Sequence, residues 1–303
     1  MPQADPVTGK LPRRTVLLAG LLTAPFLLAG RRGGNAAVAK QQSVVALDWG
    51  LAETLTALGV TPVALPEVNN YRQLVDPHLS SAVLDVGLRI EPNFEAIERS
   101  NPDLIVVNPG YVNFAERLER VAPIKSFAVF DGNSTPFDNA SRVLNELAVT
   151  TGREAQAQIY LEESITLLEG LAGVSGNLQG KPIYLITIVD ERHIMVHGSN
   201  SLFQHSLDVA GLRNAWNRPG NLWGYSNIGF DGLVGEQEAL VINLGPIPDR
   251  VREGLAASRL WNSLSFVTGG RFHSIASLWT FGGLPSAMRF TTALTEIIRG
   301  VNG

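Results

Sequence analysis

The chain has 303 residues, a formal charge of −4 and no cysteine. This length can bury a full hydrophobic core, and it lies at the border between one large domain and two. The acidic balance excludes the basic surface that nucleic-acid-binding proteins present. The absence of cysteine excludes disulfides, thiolate metal sites, a cysteine nucleophile and the acylated cysteine of a lipoprotein.

The first 39 residues have the three parts of an export signal. Arg13 and Arg14 end a polar start, an apolar run covers residues 15–30, and the sequence AVA at 37–39 provides a small-residue cleavage site. A membrane anchor is the alternative, but the apolar run has 16 residues, contains Pro25 and is shorter than the roughly 20 that span a bilayer. We therefore expect a cleaved signal peptide of the twin-arginine type and a periplasmic product. Cleavage leaves 19 basic and 27 acidic side chains, a formal charge of −8.

Short apolar runs alternate with helical patterns through the next hundred residues. The runs are VVAL at 44–47, PVAL at 62–65, DLIVVN at 103–108 and IKSFAVF at 124–130. Between them, residues 51–58 and 94–99 place apolar side chains three or four positions apart. Such alternation is typical of βαβ units and a mainly parallel sheet. It predicts an N-terminal α/β lobe over residues 43–137.

A helical pattern without proline follows over residues 138–172. Its apolar residues recur at steps of four, and Gly152 is the one glycine within the pattern before residue 170. One long connecting helix is predicted, and a stiff strut of this kind would limit closure of the two lobes. The alternative is a broken helical hairpin packed on one domain. Further apolar runs at 182–189, 239–244 and 272–275 predict a second α/β lobe over residues 180–302. The predicted fold class is thus α/β, with two mainly parallel sheets joined by one long helix.

Enzyme motifs are absent from the sequence. It has no G-x-S-x-G elbow, no Walker loop, no G-x-G-x-x-G after a strand and no H-E-x-x-H pair. His193 and His197 share a face of a strand-like segment, but at that spacing they lie about 13 Å apart, too far to share a metal ion. We therefore expect no catalytic residue and no protein-bound metal.

Aromatic residues stand beside turn-forming residues at the inferred ends of strands. Core packing is the alternative role for such rings, but the loops at the carboxyl ends of parallel strands are where α/β sheets bind ligands. The candidate ligand-binding aromatics are Trp49, Tyr71, Tyr111, Trp223, Tyr225, Trp279 and Phe281.

These residues lie in segments that resemble the periplasmic binding proteins for ferric hydroxamate siderophores, the ferrichrome-binding family of iron importers. The block VGLRIEPNFE at 86–95 is shared with the wider class of siderophore and cobalamin binders. The blocks NLWG at 221–224, GSNSLFQ at 198–204 and LPSAMRF at 284–290 are narrower. The resemblance implies a shallow cleft between two lobes that a long helix joins rigidly. It also implies no intrinsic cofactor, a monomer, and delivery to an inner-membrane ABC permease.

The resemblance also assigns roles to residues. Arg89 and Tyr111 match the family's two donors to the hydroxamate oxygens. Trp223 and Trp279 match the aromatic walls, with Trp49 and Phe281 beside them. Glu116 and Asp231 match the acidic residues with which each lobe docks on the permease. The chain departs from the family where Gln73 and Leu74 replace a tryptophan after the NYR motif, and where Tyr225 replaces the serine of WGS.

Two other functions stay open at this point. A binder of haem, cobalamin or a catecholate siderophore belongs to the same transporter class, and a highly anionic catecholate complex would need several basic residues, of which the matched loops show chiefly Arg89. An exported α/β hydrolase would need a serine elbow and a positioned histidine, and the sequence shows neither.

Overall fold

The computed structural model describes residues 42–175, 178–276 and 278–302. The predicted signal peptide lies outside the described residues. Among the described residues, no helix is both long and apolar enough to cross a membrane.

The first half of the described chain forms a five-stranded parallel sheet. Its strands are β1 (Val44–Ala46), β2 (Ala64–Leu65), β3 (Leu84–Asp85), β4 (Leu104–Val107) and β5 (Ile124–Ser126), in the order β3-β2-β1-β4-β5. The connections contain α1 (Trp49–Ala57), α2 (Val68–Leu74), α3 (Phe94–Arg99), a 3₁₀ turn (Pro109–Phe114) and α4 (Ala115–Glu119). β1 and β4 are buried along their whole length, which explains why they read as unbroken apolar runs instead of alternating ones.

Two helices, not one, follow the first sheet. They are α5 (Pro136–Thr151) and α6 (Glu154–Val174). The prediction of a single helix over 138–172 is wrong at Gly152, which adopts the left-handed conformation (φ 65°) and caps the C-terminus of α5. α5 packs on α1 and on the C-terminal helix, and α6 packs on the C-terminal helix and on α7 (Gln204–Val209), so the pair still connects the two halves of the fold.

The second half forms a mixed six-stranded sheet. Its strands are β6 (Pro182–Ile188), β7 (His193–His197), β8 (Arg213–Asn214), β9 (Tyr225–Gly229), β10 (Leu240–Asn243) and β11 (Phe272–Ser274). β6, β10 and β11 are parallel neighbours, whereas β7 runs antiparallel to both β6 and β9. The remaining helices are α8 (Asp249–Ala257), α9 (Arg259–Ser263), α10 (Ser265–Thr268) and α11 (Leu284–Asn302).

One hydrophobic cluster is continuous between the two sheets. It joins Val44 and Ala46 of β1 to Leu185 of β6, Ile242 of β10 and Phe290 of α11. The two sheets thus share a core, and the exact limits of the two lobes as domains remain a prediction.

A buried carboxylate ties α1 to the start of α11. Glu53 accepts hydrogen bonds from the Gly283 amide (2.7 Å) and the Ser286 hydroxyl (2.9 Å), and it pairs with Arg289. Burial raises the pKa of Glu53, while Arg289 and the amide and hydroxyl donors act in the opposite direction. Because α1 begins at Trp49 and α11 closely follows Trp279, this contact fixes the two tryptophans relative to each other.

Candidate functional site

The first wall of the site is made by loops at the carboxyl ends of three parallel strands. Asp48 and Trp49 follow β1, Arg89 lies beyond β3, and Asn108 and Tyr111 follow β4. Parallel strands end at one edge of a sheet, so their loops meet there. The second wall is formed by the segment before β9 and the segment between β11 and α11.

A cavity of about 540 Å³ lies between these walls. It is lined by Leu47, Asp48, Trp49, Glu67, Leu88, Arg89, Ile90, Asn108, Gly110, Tyr111, Trp223, Trp279 and Phe281. A smaller cavity of about 220 Å³ adjoins it and shares Asp48, Asn108, Gly110, Trp223 and Phe281. Another cavity, of about 560 Å³ between residues 132–138 and 199–208, contains none of the predicted site residues.

Aromatic rings form a continuous row across the site. Trp49 and Trp279 have centroids 4.7 Å apart, Trp279 and Phe281 5.3 Å, and Phe281 and Tyr225 5.5 Å. The row therefore joins the loop after β1 to the start of β9. Tyr71 touches its buried end, 5.6 Å from Trp49, but Tyr71 is completely buried. In this geometry the Tyr71 side chain supports Trp49 from behind and does not line the cavity, and its contact with a ligand stays a prediction.

Arg89 lies over the tryptophan pair. Its guanidinium carbon is 4.0 Å from the centroid of Trp49 and 4.7 Å from that of Trp279. Its Nε donates to Glu67 at 3.2 Å. The two terminal nitrogens of Arg89 have no hydrogen-bond acceptor among the described residues. The geometry therefore leaves two charged donors at the cavity for a ligand with exposed oxygens.

Tyr111 is engaged with the backbone. Its hydroxyl lies 2.7 Å from the carbonyl oxygen of Leu47 and 2.5 Å from that of Arg89. Burial raises the pKa of Tyr111, so the hydroxyl keeps its single proton, and the two carbonyl oxygens compete for it. Tyr111 thus holds the main chain of Arg89, and its donation to a ligand stays a prediction.

Trp223 stands at the rim, with 48% of its surface exposed. Its loop is bonded to the GSNS segment, because Gly198 donates to the Gly224 carbonyl (2.8 Å) and Asn200 donates to the Asn221 carbonyl (2.9 Å). Gly224 has φ 79°, and a Cβ there would come within 2.5 Å of the main chain of Ser201. The motifs NLWG and GSNS are thus two halves of one packed unit.

The two predicted docking residues lie outside the cavity. The Glu116 side chain is 94% exposed and pairs with Arg120 one helical turn later, at 3.4 Å. Asp231 is exposed in the 3₁₀ turn Phe230–Leu233. Their part in docking stays a prediction.

Sequence analysis did not identify two acidic residues of the site. Asp48 caps α1 by accepting from the Leu51 amide (3.0 Å) and also accepts from the Asn108 side chain (2.8 Å), while burial raises its pKa. Glu67 contacts Arg89 although 22 positions separate them in the chain. The sequence could have indicated Asp48, because aspartate is a preferred residue at the start of a helix. No sequence pattern predicts the contact between Glu67 and Arg89.

Within the described residues, no group of three or more histidine, cysteine or carboxylate side chains could hold a metal ion. His197 is buried, and its Nε2 lies 3.0 Å from the Thr187 hydroxyl. His193 is exposed and pairs with Asp190 at 2.9 Å. The two histidines therefore have separate, local partners.

Comparison with known proteins gives concordant results. A model of the periplasmic binding protein family matches residues 44–277. The iron(3+)-hydroxamate-binding protein FhuD of Escherichia coli is 33% identical over 288 residues, which are 95% of this chain and 97% of that protein. The Fe(3+) dicitrate-binding periplasmic protein FecB of the same organism is 27% identical over 128 residues, 40% of this chain and 41% of that protein.

Among solved structures, the siderophore-binding protein FhuD of Vibrio cholerae with Fe3+-Desferal bound is similar throughout. The TM-score is 0.79 at 28% identity, and the match covers 84% of this chain and 97% of that one. The match therefore extends over both halves of the fold.

Proposed function

Because this chain belongs to the periplasmic binding protein family, we propose that its cleft captures iron(III) hydroxamate siderophores and passes them to an ABC importer of the inner membrane. Like its relatives, the protein is a substrate-binding component and not an enzyme. Iron is its cargo and not a resident cofactor. The site of action is extracytoplasmic, and we propose the periplasm after removal of residues 1–39.

The arrangement of Arg89 carries the proposal. A hydroxamate chelate surrounds the metal with its own oxygens, so the protein need not supply a metal ligand. What it exposes is a set of oxygens with partial negative charge on a partly apolar shell. The terminal nitrogens of Arg89 can donate to such oxygens, while the Trp223, Trp279 and Phe281 rings can cover the apolar surface.

The aromatic walls also suit several ligands of one class. Rings contact apolar surface without demanding one hydrogen-bond pattern, so the chelate backbone can vary. Tyr225, which replaces a serine of the family, ends the aromatic row beside Phe281, whereas Leu74 packs against the hydrophobic core, so neither replacement alters the Arg89 group. The proposal therefore fixes the chemical class of the ligand and leaves the particular siderophore to experiment.

Titration of the purified mature protein tests the function. Three tryptophans, Trp49, Trp223 and Trp279, line the cavity, so intrinsic fluorescence should respond to an occupied cleft. We expect saturable quenching by ferric trihydroxamates such as the Desferal complex, and none by haem or cobalamin. A ferric salt without a chelator should give no stoichiometric complex. Saturable binding of haem or cobalamin with no response to hydroxamates would contradict the proposal.

A further inference from the structure

Glu67 has an unusual backbone. It directly precedes α2 with φ 54° and ψ 47°, the left-handed region that residues other than glycine rarely adopt. Its amide donates to the Gly87 carbonyl at 2.9 Å, which joins it to the loop that carries Arg89. Uncommon conformations of this kind persist where the surroundings enforce them, often at functional sites.

The Glu67 carboxylate holds Arg89 at two points. One oxygen accepts from the Arg89 amide at 3.1 Å, and the other accepts from its Nε at 3.2 Å. The Glu67 side chain is only 15% exposed, so the carboxylate is largely shielded from solvent, while the Arg89 side chain remains 35% exposed. With Tyr111 at the Arg89 carbonyl and the two tryptophans under the guanidinium, both the main chain and the side chain of Arg89 are fixed before a ligand arrives.

The same contact sets the charge of the cavity. Of the residues that line it, Arg89 is the one basic side chain, and Glu67 and Asp48 are the two acidic ones. Glu67 offsets the positive charge of Arg89, and Asp48 adds no positive charge in either protonation state. The cavity therefore has no net positive charge, although it presents two cationic donors.

We propose that Glu67 is a positioning and specificity-determining residue, which orients Arg89 toward the chelate and cancels its charge so that the cleft rejects multiply anionic ferric chelates. This inference rests on the proposed function and names the class of ferric chelate the site prefers. Ferric ion with three singly charged hydroxamates is neutral, whereas complexes with three catecholates or with citrates carry negative charge. Glu67 repels the latter group at short range in a partly desolvated cavity.

The test compares Glu67→Gln with the wild type. The amide keeps the size of the side chain and one acceptor oxygen but removes the charge. We expect affinity for a neutral ferric trihydroxamate, such as the ferrichrome complex, to fall by about threefold to tenfold, the cost of a weakened hydrogen bond. Affinity for a ferric triscatecholate should rise by about tenfold or more, because one repulsive charge is removed. Glu91→Gln is the matched control, since Glu91 is exposed in the same loop and does not contact the Arg89 side chain.

The outcomes separate the two proposals. An unchanged ratio of hydroxamate to catecholate affinity in folded Glu67→Gln overturns the role of Glu67, as does an equal change in Glu91→Gln. A wild type that binds no hydroxamate overturns the proposed function itself. The wild type also gives a test that needs no variant: its affinity for the neutral chelate should change less than about twofold between low and high salt. Tight, salt-sensitive binding of an anionic chelate by the wild type would refute the inference.

Discussion

At the scale of single residues, the site depends on one arginine and the groups that hold it. Arg89 is fixed by a carboxylate, by a tyrosine hydroxyl at its carbonyl and by two aromatic faces. Such preorganisation reduces the conformational entropy that a long side chain loses on binding. The terminal nitrogens of Arg89, which face the cavity, are therefore already in position before a ligand binds.

Replacement of Arg89 by alanine should weaken hydroxamate binding by about 1.5 to 3 kcal/mol, the contribution of a charge-assisted hydrogen bond. Isothermal titration with the Desferal complex measures the change. Arg99→Ala is a suitable control, because Arg99 is exposed on α3 and does not line the cavity. Equal affinities of the Arg89 variant and the wild type, with circular dichroism unchanged, would remove Arg89 from the site.

Replacement of Tyr111 by phenylalanine should cost about 0.5 to 1.5 kcal/mol of binding free energy, the range of a neutral hydrogen bond. Because Tyr111 bonds to the Arg89 carbonyl, the loss should nearly disappear in an Arg89→Ala background. A double-mutant cycle measures this coupling. Strictly additive losses would show instead that the hydroxyl binds the ligand on its own.

At the scale of elements, the junction of α1 and α11 positions the tryptophan pair under Arg89. Glu53 connects the two helices through Gly283, Ser286 and Arg289. The carboxylate is buried and receives several donors, so its loss leaves those donors without an acceptor.

We expect Glu53→Gln to lower the free energy of unfolding by about 1 to 3 kcal/mol. This loss of stability is smaller than for a fully buried ion pair, because the Arg289 side chain is 39% exposed and can be hydrated. Urea unfolding followed by circular dichroism gives the difference, with Glu98→Gln on the exposed face of α3 as the control. If both variants unfold at the wild-type midpoint, the junction does not stabilise the fold.

At the scale of the whole molecule, acid should destabilise the protein through a buried histidine. Burial lowers the pKa of His197 to about 3, whereas an unfolded histidine has a pKa of about 6.5. Between these values the unfolded state binds the proton and the folded state does not. Stability is therefore complete above pH 6.5 and falls as the pH falls from there toward 3.

His197→Gln should lessen this acid sensitivity by about 2 kcal/mol at pH 5, the linkage expected for a proton taken up only on unfolding. The midpoint of thermal unfolding, measured at pH 7 and at pH 5, should differ less in this variant than in the wild type. His78→Gln provides the control, because His78 is exposed. If the midpoint of His197→Gln falls between pH 7 and pH 5 as much as that of the wild type, groups other than His197 cause the acid sensitivity.

The predicted docking on a permease belongs to the whole molecule, because Glu116 lies in the first half of the fold and Asp231 in the second. We expect Glu116→Ala combined with Asp231→Ala to leave chelate affinity within about twofold, because neither residue lines the cavity. Iron uptake at limiting protein levels should fall, since charges at an interface rim govern association more than the pocket. An exposed acidic pair of equal charge, Glu98 and Glu163, serves as the control. Normal uptake by the docking variant would assign docking to other residues.

The sequence by itself determined the α/β class, because buried parallel strands appear as unbroken apolar runs that need no knowledge of distant residues. It also predicted six of the thirteen residues that line the cavity. Arg89, Tyr111, Trp223 and Trp279 stand in local motifs at strand ends, and the structure places all four around one cavity. These features are encoded over short stretches of chain.

Only the tertiary structure decided which of these side chains are free to meet a ligand. Tyr71 is buried, Tyr111 bonds to two carbonyl oxygens, and Glu67 reaches Arg89 from another loop. The division of the predicted long helix at Gly152 is also a tertiary feature: this left-handed residue ends α5, and both helices pack on α11, while α5 also packs on α1 and α6 on α7. The physical reason is common to all of them. Burial, hydrogen-bond competition and charge cancellation depend on groups that are distant in sequence, and only folding brings those groups together.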